Sequence, residues 1–312
     1  MIRIIEADAA TFRDVFPQPS HVFNTVDFAE LNKHKVERVR YLLFEDTKLR
    51  AGIILGEREN SLSSPFSAPY GGLISHKPLN LETLDSITDS LVSFSKDYGK
   101  DIEITLPPLI YGTDEITKTV NVLSRKARLC HIDLNYSFDL SLFSDYISIL
   151  KSQNQRTLRA ALRNELHFEK LDSNDEKDVR RAYNVIKANH IERGFPVRMS
   201  IEDVIETIKI IPADFFVLSH QDTDIAASQV FHTAENIVQM IYWGDIREFY
   251  KLRTMNRLSY EMFKYYYEQG LKTLDLGPSS QSGIPNYGLS NFKENIGCSI
   301  SPKFSFVIEA AK

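Results

Sequence analysis

The run LDLGPSSQSGIPNYGLSNFKENIGC, residues 274–298, sets a short alternating segment before a polar loop and then a Phe-Lys pair between two glycines. LDLGP reads as the end of a strand. Gly288 and Gly297 are expected to let the backbone turn on either side of Phe292 and Lys293. A lysine placed so narrowly behind a strand end points to a ligand contact; the other reading is a lysine that snorkels along the surface.

Working outward, the preceding segments continue an alternation of strands and helices. NIVQMIYWGD reads as a strand, NRLSYEMFKYYYEQG as a helix stopped by Gly270, and KTLDLGP as the next strand. Upstream, ADFFVLSHQDTDIAASQVFHTA reads as strand, turn at Asp222-Thr223, strand. The first half has the same order: RVRYLLFEDTKLRAGIILGE with a turn at Asp46-Thr47, a helix over LETLDSITDSLVSFSKDYG stopped at Gly99, and the strand DIEITLPP. Nearly the same offset separates the two Asp-Thr turns and the two helix-stopping glycines, which suggests an internal duplication. Turns and C-terminal helix glycines are also common punctuation. The boundary is expected near residue 140, between domains 1–140 and 141–312 that pack side by side without a Gly/Ser linker. The final strand SPKFSFVIEA either extends the second sheet or crosses to the first.

Composition agrees with this α/β reading. The 312 residues are 43% hydrophobic and 25% charged, with 13 Gly and 12 Pro, as in an ordinary folded protein of about two domains. Net charge is −5, so a phosphate or nucleic acid would have to be held by a local patch. No apolar run approaches the roughly 18 residues of a membrane span, and the N-terminus lacks the basic leader and cleavage site of an export signal. Cys130 and Cys298 stand far apart, with no C-x-x-C and no histidine at metal-ligand spacing. A cytoplasmic location without a metal is the expectation.

Several side chains are candidates for chemistry. Val179, Tyr183, Ile186, His190 and Arg193 share one helical face. His190 and Arg193 either line the mouth of a cleft or are a carbonyl-satisfied histidine and a helix-terminal arginine. Arg156, Arg159 and Arg163 form a stripe suited to phosphate or simply a solvated surface. On the strand NIVQMIYWGDI, alternation puts Gln239, Ile241, Trp243 and Asp245 on one side and Val238, Met240 and Tyr242 on the other. Tyr242 and Trp243 fall at the C-terminal end, where α/β sheets bind ligands. The next helix is expected to begin near Asn256, so Arg253, Thr254 and Asn256 would surround free N–H groups able to hold an anion; N-capping by Asn256 is the alternative.

The order of strand, loop, helix opening at Asn, Asp275-x-Gly277 and Phe292-Lys293-x-x-x-Gly297 resembles the C-terminal half of the FemABX-like branch of the GNAT acyltransferases. QRTLRAALRN is similar to the arginine-rich helix that opens the second domain of that branch. The resemblance implies two tandem GNAT-like domains and an acyltransferase. It implies a catalytic Lys293 that stabilises charge, with Phe292 packed to direct it. Arg253, Asn256 and Ser279 are expected to serve the donor, and Phe292, Arg193 and Trp243 the substrate. A base is also required, because an ammonium is not a nucleophile; Tyr242, His190 or a water chain would serve. The chain departs from the acyl-CoA pattern where a glycine loop is expected, reading FYKLRTMN. It also lacks a long helical hairpin.

Three readings follow. The first is transfer from acyl-CoA to an amine on a small metabolite or sugar, with no metal. In the second, aminoacyl-tRNA is the donor and a cell-wall precursor peptide the acceptor. The third is a GNAT-like module that binds without turnover.

Overall fold

The computed structural model describes residues 2–310, which form two compact units. Unit 1 takes in residues 2–134, 280–285 and 301–310, and unit 2 takes in Asn135–Ser279 and Asn286–Ile300. In chain order the first elements are β1 (Arg3–Ala7), α1 (Ala9–Val15), α2 (Val26–Asn32), β2 (Arg38–Glu45), β3 (Leu49–Glu57), β4 (Ser61–Ser64), α3 (Leu81–Tyr98), β5 (Asp101–Thr105), α4 (Thr113–Lys126) and β6 (Arg128–Asp139). There follow α5 (Tyr146–Ile149), α6 (Ser152–Leu162), β7 (His167–Leu171), α7 (Glu176–Glu192), α8 (Ile201–Ile208), β8 (Ala213–His220), β9 (Thr223–Ala234), β10 (Ile237–Asp245), α9 (Thr254–Glu268) and β11 (Thr273–Pro278). A short hairpin, β12 (Ser280–Gln281) and β13 (Ile284–Pro285), then leads to α10 (Tyr287–Asn295) and β14 (Ser299–Ile308).

Within unit 1 the strands lie in the order β1-β2-β3-β4-β5-β14, and within unit 2 in the order β7-β8-β9-β10-β11-β6. Each run is antiparallel except at one place: β4 pairs with β5 in parallel, as β10 does with β11. A parallel pair needs a crossover, and α3 and α9 supply it. The repeated scheme inferred from turns and helix stops is therefore the topology of both units. Their last strands are drawn from unexpected places. Ser305–Ile308 of β14 pair with Ile102–Thr105 of β5, whereas Asn135–Asp139 of β6 pair with β11.

Local chemistry explains the boundaries. Asn80 caps α3 through the Thr83 N–H at 2.8 Å, and Gly99 ends it at φ +70°. The β8–β9 turn takes positive φ at Gln221 and Asp222, one residue earlier than the Asp-Thr pair read from the sequence. The unit 1 core gathers Leu42, Phe44, Ile53, Leu55, Ile102, Ile104 and Phe306. In unit 2, Phe138 stacks on Phe263 with ring centres 4.1 Å apart.

Two expectations change. Phe292 and Lys293 lie on a helix, α10, and Gly288 sits inside its first turn rather than at a bend; only Gly297 takes a positive φ, +89°. Helix α9 starts at Thr254, so Asn256 does not cap it. Arg253 is its N-cap, in the left-handed region at φ +57°.

Candidate active site

The parallel ladder of β10 and β11 holds only from Ile237↔Thr273 to Gln239↔Asp275. Both strands run on past it, and a partly open cavity of about 560 Å³ lies among the residues beyond, all of them in unit 2. Its lining is mostly apolar, including Ile241, Trp243, Met255, Leu276 and Phe292.

Asp275 stands at the fork. Its carboxylate is fully buried; Oδ1 accepts from Asn135 Nδ2 at 2.8 Å and from the Gly277 N–H at 2.9 Å, and Oδ2 accepts from Gln239 Nε2 at 2.9 Å. One side chain thus ties β6, β10 and β11 together. Gly277, at φ +72°, permits the irregularity that shifts the β11–β6 register after Asp275.

Lys293 closes the same structure from α10. It is 1% exposed, and its Nζ donates to the carbonyl oxygens of Leu276 (2.8 Å), Gly277 (2.9 Å) and Pro278 (3.2 Å). An ammonium has three protons, and three consecutive strand-end carbonyls take them. Burial lowers its pKa to about 8, against the pull of the Asp275 carboxylate. It remains largely charged at neutral pH. The amine therefore reaches the cavity wall, as expected of a site residue, but its donors already hold the end of β11. Nearby, burial pushes the Cys298 thiol far up, so it stays protonated.

Strict alternation on β10 fails. The β9–β10 register slips between Met240 and Tyr242, leaving Ile241 out of the ladder. A bulge turns neighbouring residues toward one side. Ile241, Tyr242 and Trp243 all line the cavity. The Trp243 and Phe292 rings meet edge to face at 5.7 Å.

His190 and Arg193 reach the cavity from the end of α7. The His190 ring stands edge-on to Tyr242 at 5.5 Å, and its Nδ1 lies 3.3 Å from the Pro196 carbonyl oxygen. A proton on Nδ1 would leave Nε2 as an acceptor. Burial raises the pKa of Tyr242, so it is a neutral phenol and a proton donor. Gly244 is required by close approach: a Cβ there would fall 2.4 Å from Asn189 Cγ, whose amide donates to the Asp245 carbonyl at 2.6 Å.

Six of the nine expected site residues thus line one cavity: Lys293, Tyr242, His190, Phe292, Arg193 and Trp243. The three assigned to the donor do not. Arg253 is exposed, Asn256 sits in the first turn of α9, and Ser279 is 2% exposed with its carbonyl bound by the Asn286 N–H at 2.8 Å. Arg156, Arg159 and Arg163 are exposed on and just after α6, away from the cavity lining. Sequence reasoning left Asn189, Met255 and Leu276 unread and gave Asp245 no role. A strand-terminal acid just before the helix would have been the signal.

A more open recess of about 670 Å³ elsewhere in unit 2 is lined by Glu165, Glu169, Asp222, Asp224 and Arg181. Arg181 is held there by Glu169 and Asp224 at 3.0 and 3.1 Å, so this is a salt-bridged surface and a poorer site than the cavity at the strand fork. Among the described residues no cluster of three or more acidic, histidine or cysteine side chains is arranged for a metal, and no helix is long and apolar enough to cross a membrane.

No protein-family model and no curated protein sequence matches the chain. Solved structures do. FemX is 14% identical and superposes with a TM-score of 0.66, covering 97% of this chain and 96% of its own. The C-terminal domain of a putative lysylphosphatidylglycerol synthetase from Agrobacterium fabrum is 12% identical, with a TM-score of 0.60 over 97% of this chain and 92% of its own. A tandem GNAT protein from the clavulanic acid biosynthesis pathway is 8% identical, with a TM-score of 0.55 over the whole of both chains. The chain has the fold shared by FemX and the tandem GNAT proteins, a FemABX-like GNAT fold.

Proposed function

We propose that the chain is an N-acyltransferase, with the unit 2 cavity as the site of the activated acyl group and a small-molecule amine as acceptor. The observation that carries this is the strand fork itself: an apolar cavity opens where the β10–β11 ladder ends, directly beside a bulge in β10. The likeness to FemX and to a tandem GNAT protein supports the same reading.

In this reading the acceptor's neutral amine attacks the acyl carbonyl carbon and a C–N bond forms. The tetrahedral oxyanion collapses, breaking the donor's C–S or C–O bond. The proton released by nitrogen passes to a base, and the departing sulfur or oxygen gains one. Backbone N–H groups at the Ile241 bulge meet the oxyanion. His190, with Nε2 as acceptor, is the base, and Tyr242, kept as a phenol, is the acid that protonates the leaving group. Lys293 adds a fixed positive charge beneath the acyl group and keeps the end of β11 in place, while Trp243 and Phe292 exclude water.

Acyl-CoA and aminoacyl-tRNA are the two donor classes considered. The tandem GNAT neighbour, solved without AcCoA, favours the first; the resemblance of the sequence to Fem-type transferases keeps the second. Label transfer from radioactive acetyl-CoA and from charged tRNA to a panel of amines tests the proposal. Transfer that Leu276→Trp abolishes by filling the cavity is expected. Absence of transfer from both donors, with neither raising Tm, would remove the enzymatic reading and leave a binding module.

A further inference from the structure

Unit 1 has a fork of its own. The parallel β4–β5 ladder ends at Ser64↔Ile104, and a cavity of about 250 Å³ is lined beyond it by Leu106, Pro107, Gly71 and Leu73 and by Ile116 and Thr119 of α4. The segment after α1 brings His21 into this lining, its ring edge-on to Tyr70 at 4.9 Å, as the end of α7 brings His190 edge-on to Tyr242 at 5.5 Å. Repetition of the topology has thus produced a second cavity with a histidine beside a tyrosine.

The two histidines differ in what they bind. His190 Nδ1 lies against a carbonyl oxygen, whereas His21 is 3% exposed and its Nδ1 has no hydrogen-bond partner among the described residues. A buried polar atom left in that state is costly, and a water or a ligand is what relieves it. Burial pushes the His21 pKa down to about 3, so the ring is neutral and brings no charge to the cavity. The charged side chains of the lining, Lys77 and Glu115, are exposed and of opposite sign. A charged ligand entering here would leave water without a net counter-charge. The described lining also holds no buried lysine to match Lys293 of unit 2, so this is a place to bind rather than to transfer an acyl group.

A hydroxyl group both donates and accepts, and so meets Nδ1 in either tautomer of the ring. At about 30 Å³ per water, the space equals roughly eight waters, room for one hexose-sized ring. We propose that the unit 1 cavity binds a small neutral polyol of that size through a hydroxyl placed on His21 Nδ1. The C–H face of the ligand lies against Leu106 and Tyr111, and its remaining hydroxyls meet Ser20, Ser75 and Thr119. The proposal is independent of the acyl-transfer reading of unit 2.

NMR titration of the protein labelled with nitrogen-15 in its histidine rings tests this with three probes of one shape: glucose, glucose 6-phosphate and glucosamine, at about pH 6, where glucosamine is protonated. Glucose is expected to shift the His21 ring nitrogens saturably, and the two charged sugars to bind roughly fivefold or more weakly. His21→Phe removes both the nitrogen and the binding. Thr119→Phe, which fills the cavity from a half-buried position on α4, abolishes the glucose response while the His21 signals remain, so the test stands if the first variant folds poorly. Tighter binding of glucose 6-phosphate overturns the proposal in favour of an anion site, and tighter binding of glucosamine overturns it in favour of an amine held by Glu115. Silence of His21 with all three sugars, or glucose binding that survives both substitutions, overturns it outright.

Discussion

Lys293 illustrates how little a residue's identity says about its work. Its positive charge and its position beside the cavity suit an acyl-transfer site, yet its three protons are fixed on the carbonyls of Leu276, Gly277 and Pro278. Burial brings its pKa from 10.5 to about 8, so between those values the unfolded chain binds the proton more readily than the folded one. Stability therefore rises with pH across that window by up to about 1.4 kcal/mol per unit; the penalty is complete below pH 8 and gone above pH 10.5. In urea titrations at pH 7.5 and 9.5, wild type should gain on Lys293→Met as pH rises; parallel behaviour would mean that the amine is solvated. Gly277 offers a simpler test. At φ +72° a Cβ is strained, and Gly277→Ala should lower stability by about 1–2 kcal/mol, read from the urea midpoint. The motif residues were legible one by one. Their partners were not, because a lysine that spends its donors on carbonyls and one that awaits a ligand look identical in sequence.

At the level of elements, sequence periodicity captured strands and helices well and irregularities poorly. Turns, helix stops and alternation located β8, β9, β10, α9 and β11, since each depends on local pattern. The bulge at Ile241 breaks alternation by one residue, which no period-2 count registers, and it is the bulge that brings Ile241, Tyr242 and Trp243 to one cavity. Gly288 reads as a turn in the sequence, whereas it lies inside α10, which Asn286 caps through the Leu289 N–H at 3.0 Å. The start of α9 was misplaced because Arg253 is not a residue expected in the left-handed region. The fork is held by Asp275, whose oxygens serve β6, β10 and β11 at once. Asp275→Ala would strand the donors of Asn135, Gln239 and Gly277. At about 1–3 kcal/mol for each unsatisfied buried group, a loss of roughly 3 kcal/mol or more is expected. Hydrogen exchange should quicken first at residues 273–278; uniform exchange across unit 2 would show that the carboxylate does not hold the fork.

For the whole molecule, the two units repeat one topology but do not follow the chain in two consecutive blocks. The strand that closes the sheet of unit 1 is β14, synthesised after all of unit 2, and it pairs with β5 through Ser305–Ile308. Phe306, Val307 and Ile308 are buried at 2%, 8% and 1% exposure, with Phe306 and Ile308 in the same core as Leu42, Phe44, Ile102 and Ile104. Each such side chain contributes about 1.5–3 kcal/mol by burial, so the three together are comparable to the 5–15 kcal/mol net stability of an ordinary domain. Loss of β14 would also leave β5 as an unpaired edge, a template for aggregation. A chain ended at Ile300 should therefore lose protection at Ile102 and Ile104, some two hundred residues away in sequence, before it loses protection at Phe215 and Phe216 in β8. Hydrogen exchange resolved by fragment would report this order. If the truncated chain instead opened first in β8 and kept β5 protected, the final strand would not be the element on which unit 1 depends.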